Sequence, residues 1–419
     1  MTRRAILHIG TEKTGTTALQ HAFRHDSERL ATLGVRYPDF LVPTHGALAY
    51  VAADREASVC DIGPHIGLMP GESRTAFTAR LHGWLAAEVA AHPDATFVLS
   101  TEHAQSRLES VAAVSRIRAL LADYFDEIDI AVYLRRWDRM ALSYHATSVR
   151  NGLRAPFTFQ RYAQTLLLDY RGLLDRWGQV FGDNHVHVAI FDRAELVNGS
   201  ILDDFTQRFG LPALTPVADQ NISLDSRGQA LLRLLDRALD GQPAENQALV
   251  REAVVAAIRP DPTATPPVSR AEAERFVAGF AADEAAILSR WFANRAALFD
   301  HRYDEYPETP EPVGRNWRDL STVLIDAVLA GANREARERA ETRYYRALSH
   351  RQEARLELAE AEIREALRLR PGTAAYWFIL ADILHRRGQT RPAQEAIARA
   401  SALAPDNADF RAFAAMIGG

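Results

Sequence analysis

The chain has 419 residues, a net charge of −5 and 47% hydrophobic side chains. That length suits two or three globular cores, and the acidic balance excludes a broad nucleic-acid-binding face while leaving room for a local basic pocket. Cys60 is the only cysteine, which excludes an internal disulfide and a cysteine-based zinc site. The start, Met1-Thr2-Arg3-Arg4, is basic, but the apolar run behind it is too short for a signal peptide. No stretch approaches the ~18 apolar residues of a membrane span, so the expected location is cytoplasmic.

In chain order, residues 4–9 read as a strand, 17–33 as a helix and 35–37 as a short extended piece. A helix is predicted over 72–91, a strand over 96–100 and a helix over 110–124. Residues 128–134 form a strongly apolar strand, 139–150 a helix and 185–191 a further strand. Apolar strands alternating with amphipathic helices predict a parallel sheet covered on both faces, an α/β/α three-layer domain. Ligands of such sheets bind beyond the carboxyl ends of the strands. Residues 200–300 read as mostly helical, with a Pro-rich break over 259–267.

Three prolines and four acids over 303–316 read as a linker. Beyond it the pattern is helical and repeats at a spacing of 34: Ala359 with Ala393, Ile363 with Ile397, Ala366 with Ala400, Pro371 with Pro405. With Trp377, Leu380, Ala381 and Gly388, this segment resembles a tetratricopeptide repeat. The expected domains are 1–302, a linker 303–316, and an all-α repeat segment 317–419 that docks on the first domain or on a protein partner.

Lys13 is the only lysine among 49 basic side chains. It sits in Gly10-Thr11-Glu12-Lys13-Thr14-Gly15-Thr16-Thr17, between a strand and a helix. A compact ammonium differs from a planar guanidinium, and a strand-to-helix loop points backbone N–H groups at an anion. The nucleoside-triphosphate phosphate loop needs its lysine directly after the second glycine; here it lies two residues before Gly15. A second motif follows the strand 128–134: Arg135, and then Ser143 eight residues later on a predicted helix, with Arg150-Asn151-Gly152 at its end. A guanidinium at a strand end offers a bidentate fork to phosphate.

Lys-Thr-Gly-Thr-Thr after a strand resembles the 5′-phosphosulfate loop of sulfotransferases, and Arg135 with Ser143 resembles their 3′-phosphate motif. Those enzymes have a P-loop-like fold and use 3′-phosphoadenosine 5′-phosphosulfate (PAPS) as donor, with adenosine 3′,5′-bisphosphate as product. The family usually has proline where this chain has Glu12, whose carboxylate is expected to turn away from the anion. The resemblance leans toward bacterial carbohydrate-type enzymes. It implies transfer of a sulfuryl group to a hydroxyl, with an amine as second choice, of a saccharide or other small acceptor. It also implies donor binding by Lys13, Thr14, Gly15, Thr16, Thr17, Arg135 and Ser143.

In such a reaction Lys13 would stabilise the leaving phosphate, and a base would take the acceptor proton. Glu102, directly after the strand 96–100, is the first candidate, His45 the second and His103 the third. No metal is expected. The pair His185 and His187, on one face of a strand with no acid nearby in sequence, reads as structural. Two competing classes are a Mg-dependent nucleotide kinase with a degenerate loop, using Asp192 as metal ligand, and a repeat-bearing adaptor with an inactive nucleotide-binding domain.

Overall fold

The computed structural model describes residues 2–38, 45–55, 59, 62–217, 224–242, 247–248, 250–251, 254–255, 258, 265–310 and 315–418, without the side chains of 64, 315–330, 332–333 and 418. Cys60, most of the Pro-rich break and residues 311–314 of the expected linker lie outside the described residues. Two compact units emerge: one of 1–151, 156–226 and 260–311, the other of 152–155, 227–259 and 312–419.

The first unit is built on five parallel strands: β1 (Arg4–His8), β2 (Val35–Arg36), β3 (Thr96–Ser100), β4 (Glu127–Leu134) and β5 (Val186–Ile190). Their order is β2-β3-β1-β4-β5, with β1 paired to β3 on one side and to β4 on the other. The chain therefore crosses from β3 over β1 to reach β4. The carboxyl ends of these three neighbours form the switch point where open α/β sheets hold ligands.

Period-two alternation sends successive side chains to opposite faces. Ile6, Val98, Tyr133 and Ala189 pack with α1 (Thr16–His25) and α9 (Ile201–Phe209). Leu7, Phe97, Leu99, Ile130 and Val132 join the larger core on the other face. That core takes in α3 (Gly46–Ala52), α4 (Arg74–Ala91), α6 (Val111–Ala122), α7 (Trp137–Arg150) and α8 (Tyr170–Phe181). Both faces are covered, which is why the strands read as nearly continuous apolar runs.

The expected helix over 17–33 is two helices, α1 and α2 (Ser27–Thr32). They break at Asp26, whose carboxylate accepts hydrogen bonds from Arg29 and from the Thr215 N–H, and so is pinned off the helix axis. Helices α3 and α8 were not expected at all. The start of the expected linker is core rather than spacer. Tyr303 and Tyr306 are buried, and the Tyr306 hydroxyl donates to Asp138 at 2.6 Å. The linker's other end is helical from Arg315.

The second unit is helical: Arg315–Gln352, Leu356–Leu369, Ala374–Arg386, Thr390–Leu403 and Ala408–Gly418. The 34-residue spacing places Ala359 and Ala393, Ile363 and Ile397, and Ala366 and Ala400 in one shared core. Small residues there let helices approach closely. Gly388, at φ +75°, supplies the left-handed turn after Ala374–Arg386. Asp382, which interrupts an apolar run, is paired with Arg351 and Arg386. Residues 227–259 group with this unit, whereas the sequence placed them in the first domain. Among the described residues, no helix is long and apolar enough to cross a membrane.

Candidate functional site

The loop from β1 to α1 turns sharply. Gly10, Lys13 and Gly15 all have left-handed backbones, at φ +94°, +62° and +77°. Gly15 admits no other residue cheaply: an added Cβ would lie 3.1 Å from Phe191 and 3.2 Å from Ile201. Lys13 is a non-glycine in the left-handed region, a conformation that costs about 1–2 kcal/mol. The Arg135 guanidinium donates to its carbonyl at 3.0 Å and holds it there. Thr14 turns inward, its hydroxyl donating to the Thr11 carbonyl at 2.5 Å, so it staples the loop rather than lining the site. Helix α1 starts at Gly15 without a side-chain cap, leaving its first N–H groups to the space in front of them.

That space is a cleft of about 530 Å³ at the carboxyl ends of β1, β3 and β4. Lys13, Gly15, Thr16 and Thr17 line it from the loop, Glu102 from β3, Arg135 from β4, and Ser143 from α7. Six residues that the sequence had scattered over 130 positions thus face one hollow with Lys13. Helix α7 adds Thr147 and Arg150, at i+4 and i+7 from Ser143, and Asn151 after them. Helical spacing from Ser143 would have found Thr147. Phe191, directly after β5, sits under the Arg135 guanidinium at 5.8 Å, and Leu224 completes the wall; no sequence signal singled these out.

Two adjacent arginines show what is unusual. Arg136 is buried and fully committed. It makes a bidentate pair with Asp138 at 2.7 Å on each arm, reaches Glu305 at 2.8 Å, and donates to the Asp300 and Arg302 carbonyls. Arg135, one residue earlier, has no carboxylate within ion-pair distance among the described residues; its guanidinium meets only the Lys13 carbonyl and the Phe191 ring. Burial pulls its pKa down, and the Arg139 charge adds to that. A partly buried, unneutralised guanidinium favours an anion.

Lys13 likewise makes no ion pair among the described residues, although Glu12 and Glu102 border the same cleft. Its pKa is lowered, chiefly by burial and then by the Arg135 and Arg150 cations, against opposition from Glu12 and Glu102. Glu12 turns toward α5 (His103–Arg107). Its N–H donates to Gln105 at 2.8 Å, and its carboxyl neighbours Ser106, His103 and Arg107. Burial, with the Glu102 charge, raises its pKa. Glu102 accepts from the Gln20 amide at 2.9 Å.

His45 does not reach the cleft. Its Nδ1 accepts from the Ser100 N–H at 3.0 Å, so its Nε2 carries the proton and donates to the Pro38 carbonyl at 2.8 Å. A buried ring used this way by the backbone has no lone pair left for a substrate. His103 also lies off the lining residues, with Nδ1 buried and unpartnered.

His185 and His187 do have an acid nearby. Both reach Asp129 Oδ1, at 3.5 and 3.0 Å, across the β4–β5 pairing. Burial alone would raise the Asp129 pKa, but His187 and Arg4 outweigh it and hold it down at about 2. Asp192 is committed to Arg139 and to the Ala194 N–H and does not line the cleft. No group of three or more His, Cys, Asp or Glu suited to a metal ion occurs among the described residues. No family model, no curated protein and no solved structure matches the chain.

Proposed function

We propose that the first unit is a PAPS-dependent sulfotransferase. The observation that carries this reading is the pair of cations, Lys13 and Arg135, without carboxylate ion pairs among the described residues and facing one cleft at the switch point of a parallel sheet. In this reading the loop and the N-terminus of α1 take the 5′-phosphosulfate in a P-loop-like manner, and Arg135 with Ser143 takes the 3′-phosphate. The acceptor, a hydroxyl or amine of a saccharide or other small molecule, enters beside Glu102.

The bookkeeping of the reaction fits the residues. The acceptor heteroatom bonds to sulfur as the bond from sulfur to the bridging oxygen breaks, and the acceptor proton passes to the Glu102 carboxylate. Charge grows on the leaving phosphate oxygen, where Lys13 stands. Its lowered pKa makes it a better proton donor than arginine. The helical second unit, with its tetratricopeptide-like spacing, is read as a docking segment, for the first unit or for a protein partner.

Calorimetric titration with adenosine 3′,5′-bisphosphate, without Mg²⁺, tests the reading. Wild-type protein should bind, and Arg135→Ala should lose at least ~2 kcal/mol of affinity. Equal affinity in the two proteins would overturn the proposal.

A further inference from the structure

Gln20, on α1, is an amide buried to 2% exposure. Its Nε2 lies 2.9 Å from Glu102 Oε2 and 3.3 Å from Ser100 Oγ. A carboxylate can only accept, so the atom facing Glu102 is the nitrogen. Ser100 Oγ in turn is 2.9 Å from Nδ1 of His8, at the end of β1. His8 is fully buried, and its ring sits edge-on to Tyr133 and Phe205. Three buried polar side chains thus run from the core of the sheet to one carboxylate at the cleft.

This chain is not needed to hold the strands. The ladder between β1 and β3 already ties His8 to Ser100, and the Thr101 N–H donates to the His8 carbonyl at 2.9 Å. Burying an amide costs stability unless its hydrogen bonds are made, and an apolar side chain would fill the same volume without that cost. The chain's one exit is Glu102. A glutamate has three rotatable bonds, and Glu102 borders the same hollow as the only lysine, yet Lys13 makes no ion pair among the described residues.

We infer that Gln20 is a positioning residue that holds the Glu102 carboxylate on its own side of the cleft and so keeps Lys13 free for the nucleotide anion. With Gln20 in place, acid and cation coexist in one hollow without neutralising each other. Without it, Glu102 swings to Lys13, and the incoming phosphate has to displace a carboxylate. The inference rests on the nucleotide reading of the cleft for its binding consequence, but the hydrogen bond itself does not.

Two measurements test it. Gln20→Met, nearly the same shape without the amide, should weaken adenosine 3′,5′-bisphosphate binding at least fivefold. In a Glu102→Gln background the same substitution should cost less than twofold, because no carboxylate is left to release. A general packing role would weaken both backgrounds alike, and that result, or no loss in either, would overturn the inference. Wild-type protein that ignores the bisphosphate would instead remove the nucleotide reading.

The second measurement needs no nucleotide and no Gln20 variant. In protein labelled with ¹⁵N at glutamine side chains, the Gln20 amide signal should move as acid protonates Glu102, and should stay still in Glu102→Gln. A wild-type signal that does not respond would overturn the inference whatever the titration shows.

Discussion

Two hollows of nearly equal volume, about 530 Å³ at the cleft and about 560 Å³ in the second unit, are both lined by arginine. In the second unit Arg339 pairs with Glu335, Arg343 with Glu362 at 2.8 Å, and Arg368 with Glu365 at 3.1 Å. At the cleft, Lys13 and Arg135 face the hollow with no ion pair among the described residues, although Glu12 and Glu102 border it. The same residue type therefore does two jobs. Where its partner is built in, arginine braces its own helix, as Arg339 and Arg368 do, or ties one helix to the next, as Arg343 does. Where the partner is withheld, the charge is left for something outside the chain. Size does not separate the two hollows; the pairing of Arg339, Arg343 and Arg368 against the unpaired Lys13 and Arg135 does, among the described residues.

The largest expected effect attacks the chemistry on the cleft side of this contrast. Lys13→Arg keeps the charge but loses the compact, more acidic donor. It should hold bisphosphate affinity within a few-fold while lowering turnover at least ~100-fold, followed as release of adenosine 3′,5′-bisphosphate from PAPS. A variant that turns over at the wild-type rate would remove the proton-donor role.

Next comes the loop that aims the charge. Gly15→Ala puts a side chain at φ +77° and within 3.2 Å of Phe191 and Ile201. It should destabilise the protein by roughly 1–3 kcal/mol in denaturant unfolding, and an unchanged midpoint would contradict the geometry.

The buried support of the cleft should respond to acid. Burial pushes the His8 pKa down from 6.5 to about 3. The unfolded chain then binds a proton below pH 6.5 that the folded chain refuses. Stability is therefore whole above pH 6.5 and falls by about 1.4 kcal/mol per pH unit from this one group on the way down to pH 3. His8→Phe should flatten that part of the stability profile; an unaltered slope would assign it to other groups.

The smallest effect sharpens the comparison from the other side. Arg343→Ala, in the paired hollow, should leave the unfolding midpoint nearly unchanged, as for an exposed ion pair, and leave bisphosphate affinity within twofold. A loss matching that of Arg135→Ala would erase the distinction between the two regions.

The parts of the site that follow directly from a strand were legible in the chain. The loop after β1 announces itself by glycine, threonine and a lone lysine, and Arg135 by the apolar run before it. The Gln20–Glu102 contact was not legible, because it joins residues 82 positions apart through a fold that local pattern does not encode. Nor was the idleness of His45: a loop histidine looks available until the Ser100 N–H and the Pro38 carbonyl are seen to occupy both nitrogens. The inward turn of the Thr14 hydroxyl was not legible either, because a motif names residues and leaves open which way each side chain turns. Residues 303–306 looked like spacer because they open a stretch, 303–316, in which proline and acid dominate, while the two tyrosines that bury themselves carry little local signal.

The hydrogen bond from Arg135 to the Lys13 carbonyl carries a mechanical consequence. It stitches the tip of the β1 loop to the end of β4, so the places assigned to the two ends of the nucleotide are not independent. Whatever grips the guanidinium also steadies the peptide that aims the ammonium. Because such coupling is reciprocal, filling either end prepares the other by the same free energy, and a fragment that occupies only one of them should make its missing half bind more tightly.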